Sequence, residues 1–347
     1  MKTRFWQRGP VIVGGLAGLA LFGLTLQAVS VGTVLEGVRR VGTGFVWIML
    51  LAGVRLAARA AAWTVCAGGP SHLPFRTTLA ACVVGEAAGN LTPLGLAASE
   101  PVKVLWVRNR LGTIESAATL AVETLVYTVS VTVMLVGGSL ACVAAFAPAA
   151  GMRAALIGLA GSACVVTLVW VIWQRRSRRP FTVLRAFGSR EQDRPWVRAV
   201  ADWLRRSGEI LRGLASREPA TLALVSVLEI VFHAVAVAEV SLTLVLLGVP
   251  HTTFLQAFLL EYANRVVTVA FKFVPLRFGV DELASGMIAS LLGNAGAVGV
   301  TVAVIRKARV LCWSVVGLGL AAGRALVSRV RPKRQPALAE RADGVTS

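Results

Sequence analysis

The chain has 347 residues, 56% hydrophobic and 15% charged, with a mean hydropathy of +0.72, a balance that excludes an ordinary soluble domain. The formal net charge of +19 raises nucleic acid as a partner. The basic residues, however, stand between and beyond apolar segments, as membrane orientation and contact with anionic lipid require, so no nucleic-acid partner is expected.

From the N-terminus, Lys2, Arg4 and Arg8 precede an uncharged stretch that contains Gly14 and Gly18 at GxxxG spacing. Its apolar part is long for a secretory signal, so it reads as a retained first helix. Full-length apolar segments fall at residues 10–31, 42–65, 113–147, 152–174, 219–248 and 296–325, and each supplies the roughly 20 residues that cross a hydrocarbon core. The third would reach roughly 52 Å as a helix, so it must tilt, break or extend past the bilayer. Segments 77–98 and 254–293 are apolar but interrupted by Gly, Asn, Pro and charge. Broken backbone at membrane depth is tolerated only where protein or a watery cavity satisfies it, so both read as re-entrant or broken-helix hairpins. Between the halves, residues 181–215 alternate Phe181, Leu184, Phe187, Trp196, Val200, Trp203 and Leu204 with arginines, the pattern of an interfacial helix on an anionic leaflet. The expected fold is therefore all-α: one polytopic membrane bundle over residues 1–328, with six spanning helices and two hairpins, and a disordered basic tail over 329–347.

A pattern occurs twice in this chain. Pro93-Leu94 and Glu100 recur as Pro275-Leu276 and Glu282, an offset of 182 residues that also carries Thr119, Ala121 and Val122 onto Thr301, Ala303 and Val304. The segment Arg175 to Glu218 holds twelve arginines against five acids, so it, the basic tail and the N-terminus are assigned to the cytoplasm. Six spans fit that assignment when hairpin 77–98 enters from the cytoplasmic side and hairpin 254–293 from outside. Units 41–147 and 223–325 then form an inverted repeat, the architecture of many secondary transporters.

Charged residues inside hydrocarbon-length sequence are functional hypotheses by default. Arg55 and Arg59 share one helix face at i, i+4, as do Glu229 and His233. Glu123 lies in the third span, Glu261, Asn264, Arg265 and Lys272 precede the second break, and Arg277, Asp281 and Glu282 follow it. Glu86 and Asn90 share a face of the first hairpin. Lys103, Arg306 and Arg309 stand near expected helix ends, where they could snorkel to the interface. Such numbers of both signs suggest pairing around a polar cavity, and guanidinium forks suit phosphate. The candidate substrate-binding set is Arg55, Arg59, Asn90, Glu100, Lys103, Glu123, Arg265, Arg277, Glu282 and Arg306. His233 is expected to hydrogen-bond Glu229. Neither His72 nor His251 adds ligand spacing, so no metal site is expected. The five cysteines, Cys66, Cys82, Cys142, Cys164 and Cys312, form no disulfide framework or CxxC pair. No Walker loop, dinucleotide fingerprint, G-x-S-x-G elbow or HExxH occurs, so no catalytic residue or cofactor is expected.

The run Asn90-Leu-Thr-Pro93, followed by Ser99-Glu100-Pro-Val-Lys103, Arg110-Leu-Gly112 and Glu123, resembles the first signature of the lysylphosphatidylglycerol synthase transmembrane region, also called the flippase-like domain family. Pro275-Leu-Arg-Phe-Gly279-Val-Asp-Glu282, Gly293 and Arg306 resemble the second. Ser99 stands for the expected Gly, Lys103 for Arg, Thr124 for the Arg after Glu123, and Leu276-Arg277 for a Gly pair. These departures bear on substrate identity more than on fold. The resemblance implies a multi-pass protein of the bacterial inner membrane that moves or presents a lipid. Some family members carry a soluble aminoacyl-transferase domain after the membrane region; this chain ends shortly after its last helix, so synthase activity is not expected.

The expectation is a non-enzymatic transporter that translocates an amphipathic, anionic lipid between leaflets. Two alternatives stay open: an intramembrane lipid-modifying enzyme using Glu229 and His233 as an acid-base pair, and a non-transporting partner of a lipid synthase or glycosyltransferase.

Overall fold

The structure, a computed structural model, describes residues 31–92, 95–146, 149–176, 195–216, 218–271 and 277–330. Within these the protein is all-helical. The elements are α1 (Val31–Val41), a 3-10 turn (Gly42–Gly44), α2 (Phe45–Cys66), α3 (Phe75–Leu91), α4 (Leu96–Leu111), α5 (Thr113–Phe146), α6 (Ala150–Arg176), α7 (Pro195–Ser216), α8 (Pro219–Leu246), α9 (Phe254–Ala270), α10 (Val280–Leu291) and α11 (Gly296–Val330). Five stretches are long and apolar enough to cross a membrane: Gly32–Cys66, Thr113–Phe146, Ala150–Ile172, Pro219–Leu246 and Gly296–Val327. They correspond to five of the six expected spans; the span expected at residues 10–31 lies, apart from Val31, outside the described residues. The expected tail boundary is corrected slightly, because Arg329 and Val330 continue α11, and residues 331–347 lie outside the description.

Helix starts recur within three residues of the 182-residue offset. Helix α5 begins at Thr113 and α11 at Gly296, while α3 begins at Phe75 and α9 at Phe254. Both interrupted segments are helix–break–helix hairpins, α3–α4 and α9–α10. Pro93, Leu94 and residues 272–276 lie outside the description, so the breaks are located by their flanks. Helix α5 is continuous over 34 residues, so its long apolar run is not broken.

Helix α11 is the common spine of the two hairpins. Near its N-terminal end, Gly299 lies against α10 so closely that a Cβ would sit 2.0 Å from the Ser285 carbonyl oxygen. Eighteen residues on, Gly317 meets α3, where a Cβ would stand 2.7 Å from the Val83 carbonyl oxygen. Seven residues further, Arg324 donates to the Trp106 carbonyl of α4 at 2.8 Å and stacks over its ring at 4.3 Å. At about 1.5 Å per residue, the two glycine contacts are about 27 Å apart. The hairpins therefore enter the bundle from opposite ends of α11, with their breaks near its middle. Only glycine allows either backbone approach, and such small-residue contacts are how helices associate where lipid removes the hydrophobic drive.

Helices α2 and α8 pack along their length through Ile48, Val237, Val240 and Leu244. Outward-facing residues such as Val133, Val165, Val169, Ile230 and Val315 are exposed and apolar, the surface a lipid-facing bundle needs. Helix α7 turns Leu204, Ser207, Leu211 and Leu214 inward, a heptad-like stripe. Leu211 and Leu214 pack with Ala62, Cys66, Val122, Leu125 and Val225. At its outer edge Arg206 forks onto Glu115 at 2.6 and 3.1 Å, and Trp203 donates to the Ala117 carbonyl. Hydrogen bonding to Glu115 raises Arg206 above the ordinary guanidinium range. The amphipathic segment expected at 181–215 is thus a helix from 195 onward, docked on the bundle; residues 181–194 lie outside the description. These contacts put α7, the basic end of α4 and the C-terminal end of α11 at one end of the bundle.

Candidate functional site

The middle of the bundle holds a cavity of about 470 Å³, within the range of small-molecule sites. It is walled by the centres of α2, α5, α6 and α11 and by both hairpin breaks. Of the expected site residues, Arg55, Arg59, Asn90, Glu100, Lys103, Arg265, Arg277 and Arg306 line it. Glu123 and Glu282 do not; they are buried behind the wall, at 2% and 0% exposure.

The wall is built from ion pairs. Arg59 forks onto Glu123 through Nε and Nη2 at 2.9 and 3.1 Å, with Thr124 also donating to that carboxylate. Lys103 bonds Glu100 at 2.9 Å, one helical turn away. Glu282 accepts from the Gly279 amide at 2.8 Å, capping α10, and from Lys307 at 2.5 Å. Lys307 also lies 3.6 Å from Asp281, which Arg277 approaches at 3.3 Å. The two repeated glutamates are therefore not equivalent in use: Glu100 faces the cavity, and Glu282 fixes the second hairpin to α11.

Four arginines share two carboxylates. Glu239 accepts from Arg55 at 3.0 Å and from Arg309. Glu261 lies 2.9 Å from Arg265 and 3.5 Å from Arg306. Arg265 also donates to the Tyr127 hydroxyl at 3.1 Å, whereas neither terminal nitrogen of Arg306 finds a hydrogen-bond acceptor among the described residues. Aromatic rings separate the cations: Arg55 and Arg265 lie over Phe232 at 4.8 and 5.1 Å, and Arg59 over Tyr127 at 4.2 Å. Ring faces offset part of the repulsion among like charges. The group carries two positive charges beyond its carboxylates in a low-dielectric setting, where an anion with several acceptor oxygens is the complementary ligand.

Two expectations are corrected. Lys103, Arg306 and Arg309 do not snorkel: they are 3%, 5% and 8% exposed and paired inside the bundle. The i, i+4 spacing did not pair His233 with Glu229; Nε2 of His233 meets the Ser130 hydroxyl at 2.9 Å, and its ring stacks on Tyr127 at 6.2 Å. Glu229 has no hydrogen-bond partner on either oxygen among the described residues. Glu239 and Tyr127 were missed altogether. A carboxylate inside the apolar run of α8 was the available signal for Glu239; for Tyr127 there was none. No group of three metal-ligating side chains occurs among the described residues.

A family model for the lysylphosphatidylglycerol synthase TM region matches residues 11–322. No curated protein and no solved structure matches the chain.

Proposed function

We propose, from the premise that the chain belongs to the lysylphosphatidylglycerol synthase TM region family, that this multi-pass membrane protein moves an anionic lipid between leaflets without chemically altering it. The observation that carries the reading is the sharing of Glu239 and Glu261 by Arg55, Arg265, Arg306 and Arg309 at the wall of a mid-bundle cavity. Excess guanidinium charge at that depth has little use in holding helices together, because buried ion pairs contribute little net stability even when matched. It suits a phosphate-bearing headgroup. The cavity has room for a headgroup, so the acyl chains would stay in the hydrocarbon outside.

Opposed hairpins meeting at the cavity support an inverted repeat, in which rocking of one half against the other exposes the same site to either leaflet. The basic end of the bundle is assigned to the cytoplasm, with both termini, in a bacterial inner membrane. A lipid-biosynthetic enzyme on that face is the natural source or consumer of the cargo. The acid-base alternative is not favoured, since Glu229 and His233 neither bond each other nor line the cavity.

Reconstituted protein is expected to accelerate leaflet exchange of a fluorescent phosphatidylglycerol, with Glu100→Gln slowing it at unchanged expression. Equal rates in protein-free, wild-type and variant vesicles across a broad lipid panel would refute transport.

A further inference from the structure

The cavity wall is not uniformly cationic. Arg306 lines it from α11, and so do Trp313 and Ser314, seven and eight residues further along the same helix. At about 1.5 Å per residue they stand about 10–12 Å from Arg306 along the axis. At that level α11 crosses α3, where a Cβ on Gly317 would lie 2.7 Å from the Cβ of Ala87. Glu86 and Asn90, on one face of α3 at i, i+4, flank Ala87 and line the same cavity. Four polar side chains therefore lie within about one helical turn of a single interhelical contact.

All four lack partners among the described residues. The Trp313 Nε1–H and the Ser314 hydroxyl are shielded from solvent without a hydrogen bond, and Ser314 is 3% exposed. Glu86 has neither an ion pair nor a hydrogen bond, and the Asn90 carboxamide makes no hydrogen bond. The indole is held in place by α2, since a Cβ on Gly53 would stand 3.1 Å from its Cζ2. A buried donor left unmatched is costly, so this end of the cavity is built for a ligand.

The chemistry of that ligand follows from the two strictest members. An indole N–H only donates, and an ionised carboxylate only accepts. A phosphate satisfies Trp313 but is repelled by Glu86. An ammonium suits Glu86 but offers Trp313 no acceptor. A hydroxyl answers both, donating to the carboxylate and accepting from the indole.

We infer that Glu86, Asn90, Trp313 and Ser314 form a second subsite, which reads hydroxyl groups on the headgroup beyond its phosphate. The cargo class is then a phospholipid whose phosphate is esterified to a polyol or a sugar. This rests on the anionic-lipid reading above and narrows it. The phosphate lies at the Arg306 end and the hydroxyls at the Trp313 end of a cavity of about 470 Å³. A site built to bond a substrate hydroxyl rejects the analogue that lacks it, because its own buried groups are then left unpaired.

The test compares phosphatidylglycerol with phosphatidylethanol, which has the same charge and no headgroup hydroxyl, and with phosphatidylethanolamine, which adds an ammonium. The purified full chain is equilibrated with equimolar probes in detergent, and retained lipid is measured by mass spectrometry. The wild type is expected to retain phosphatidylglycerol about tenfold over phosphatidylethanol, the factor for one charge-assisted hydrogen bond. Trp313→Phe, which keeps a ring against Gly53 without the N–H, Ser314→Ala and Glu86→Leu are each expected to lower that ratio. A wild-type ratio near one, preferential retention of phosphatidylethanolamine, or a ratio unchanged in all three variants overturns the proposal.

Leaflet-exchange rates of the same probes separate this inference from the transport reading. Equal, accelerated exchange of both anionic lipids with no preference in retention overturns the hydroxyl subsite and leaves transport standing. Preferential retention of phosphatidylglycerol without exchange upholds the subsite and overturns transport. A protein that neither retains nor exchanges any probe overturns both.

Discussion

Gly95 and Arg277 stand 182 residues apart at the two hairpin breaks, and each has a backbone φ of 49°. The repeat thus extends to a backbone torsion that glycine adopts freely and that costs an L-residue about 1–2 kcal/mol. The family resemblance expects glycine at 277. Arg277 is there despite the strain, lining the cavity beside Asp281. Strain of this kind is held where the surroundings over-determine it, and functional sites are where it collects. Arg277→Gly is expected to leave the thermal unfolding temperature unchanged or raised while lowering the exchange rate of anionic lipid. Gly95→Ala is expected to destabilise by about 1–2 kcal/mol. Unfolding and exchange measured on the same preparations check both.

Arg59 and Glu123 form a buried, two-pronged pair. Removing one partner strands the other, so Glu123→Gln is expected to cost about 3–5 kcal/mol, while Arg59→Met combined with Glu123→Leu recovers most of that loss. A double-mutant cycle of unfolding in detergent gives the comparison. The apolar pair should still fail in lipid exchange, because Arg59 lines the cavity.

Helix α7 is held by its apolar stripe more than by its visible salt bridge. Arg206 is 46% exposed at its side chain, so Arg206→Ala is expected to change stability by less than about 1 kcal/mol, and less still at high salt. Leu211→Ala is expected to cost about 2–3 kcal/mol. Proteolysis at the flanks of α7 reports the difference: accelerated cleavage in the leucine variant, near wild-type cleavage in the arginine variant.

The opposed entry of the hairpins predicts a labelling pattern. Single cysteines at Arg110 and at Asn294, in a background lacking the five native ones, are expected to react with impermeant reagent from opposite sides of the membrane. Labelling of both from one side would contradict the inverted arrangement.

Much of this architecture could be read from residue order. Both breaks were visible because Pro-Leu and Glu recur at one offset, and the ends of α5 and α11 follow from where apolar runs begin. The partners across the cavity were not visible. Spacing puts Glu229 and His233 on one face of α8, but which helix faces each depends on rotation and packing, and these bring Ser130 to the histidine and leave the glutamate bare. Likewise the run Arg306-Lys307-Ala308-Arg309 reads as a basic helix end until the second hairpin buries it. There Lys307 meets Glu282, and Arg306 meets Glu261.

The central claim is that unshared guanidinium charge selects an anionic headgroup at the middle of the bundle. Arg306 carries it most directly, since it shares Glu261 with Arg265 at the longer distance. The decisive measurement is the ratio of leaflet-exchange rates for fluorescent phosphatidylglycerol and phosphatidylcholine in vesicles containing wild type or Arg306→Leu. The account predicts a wild-type ratio well above one that falls about tenfold in the variant, the loss expected when one charge-assisted contact of about 1.5 kcal/mol is removed. Equal acceleration of both lipids by the wild type, or a ratio untouched by Arg306→Leu, would contradict it.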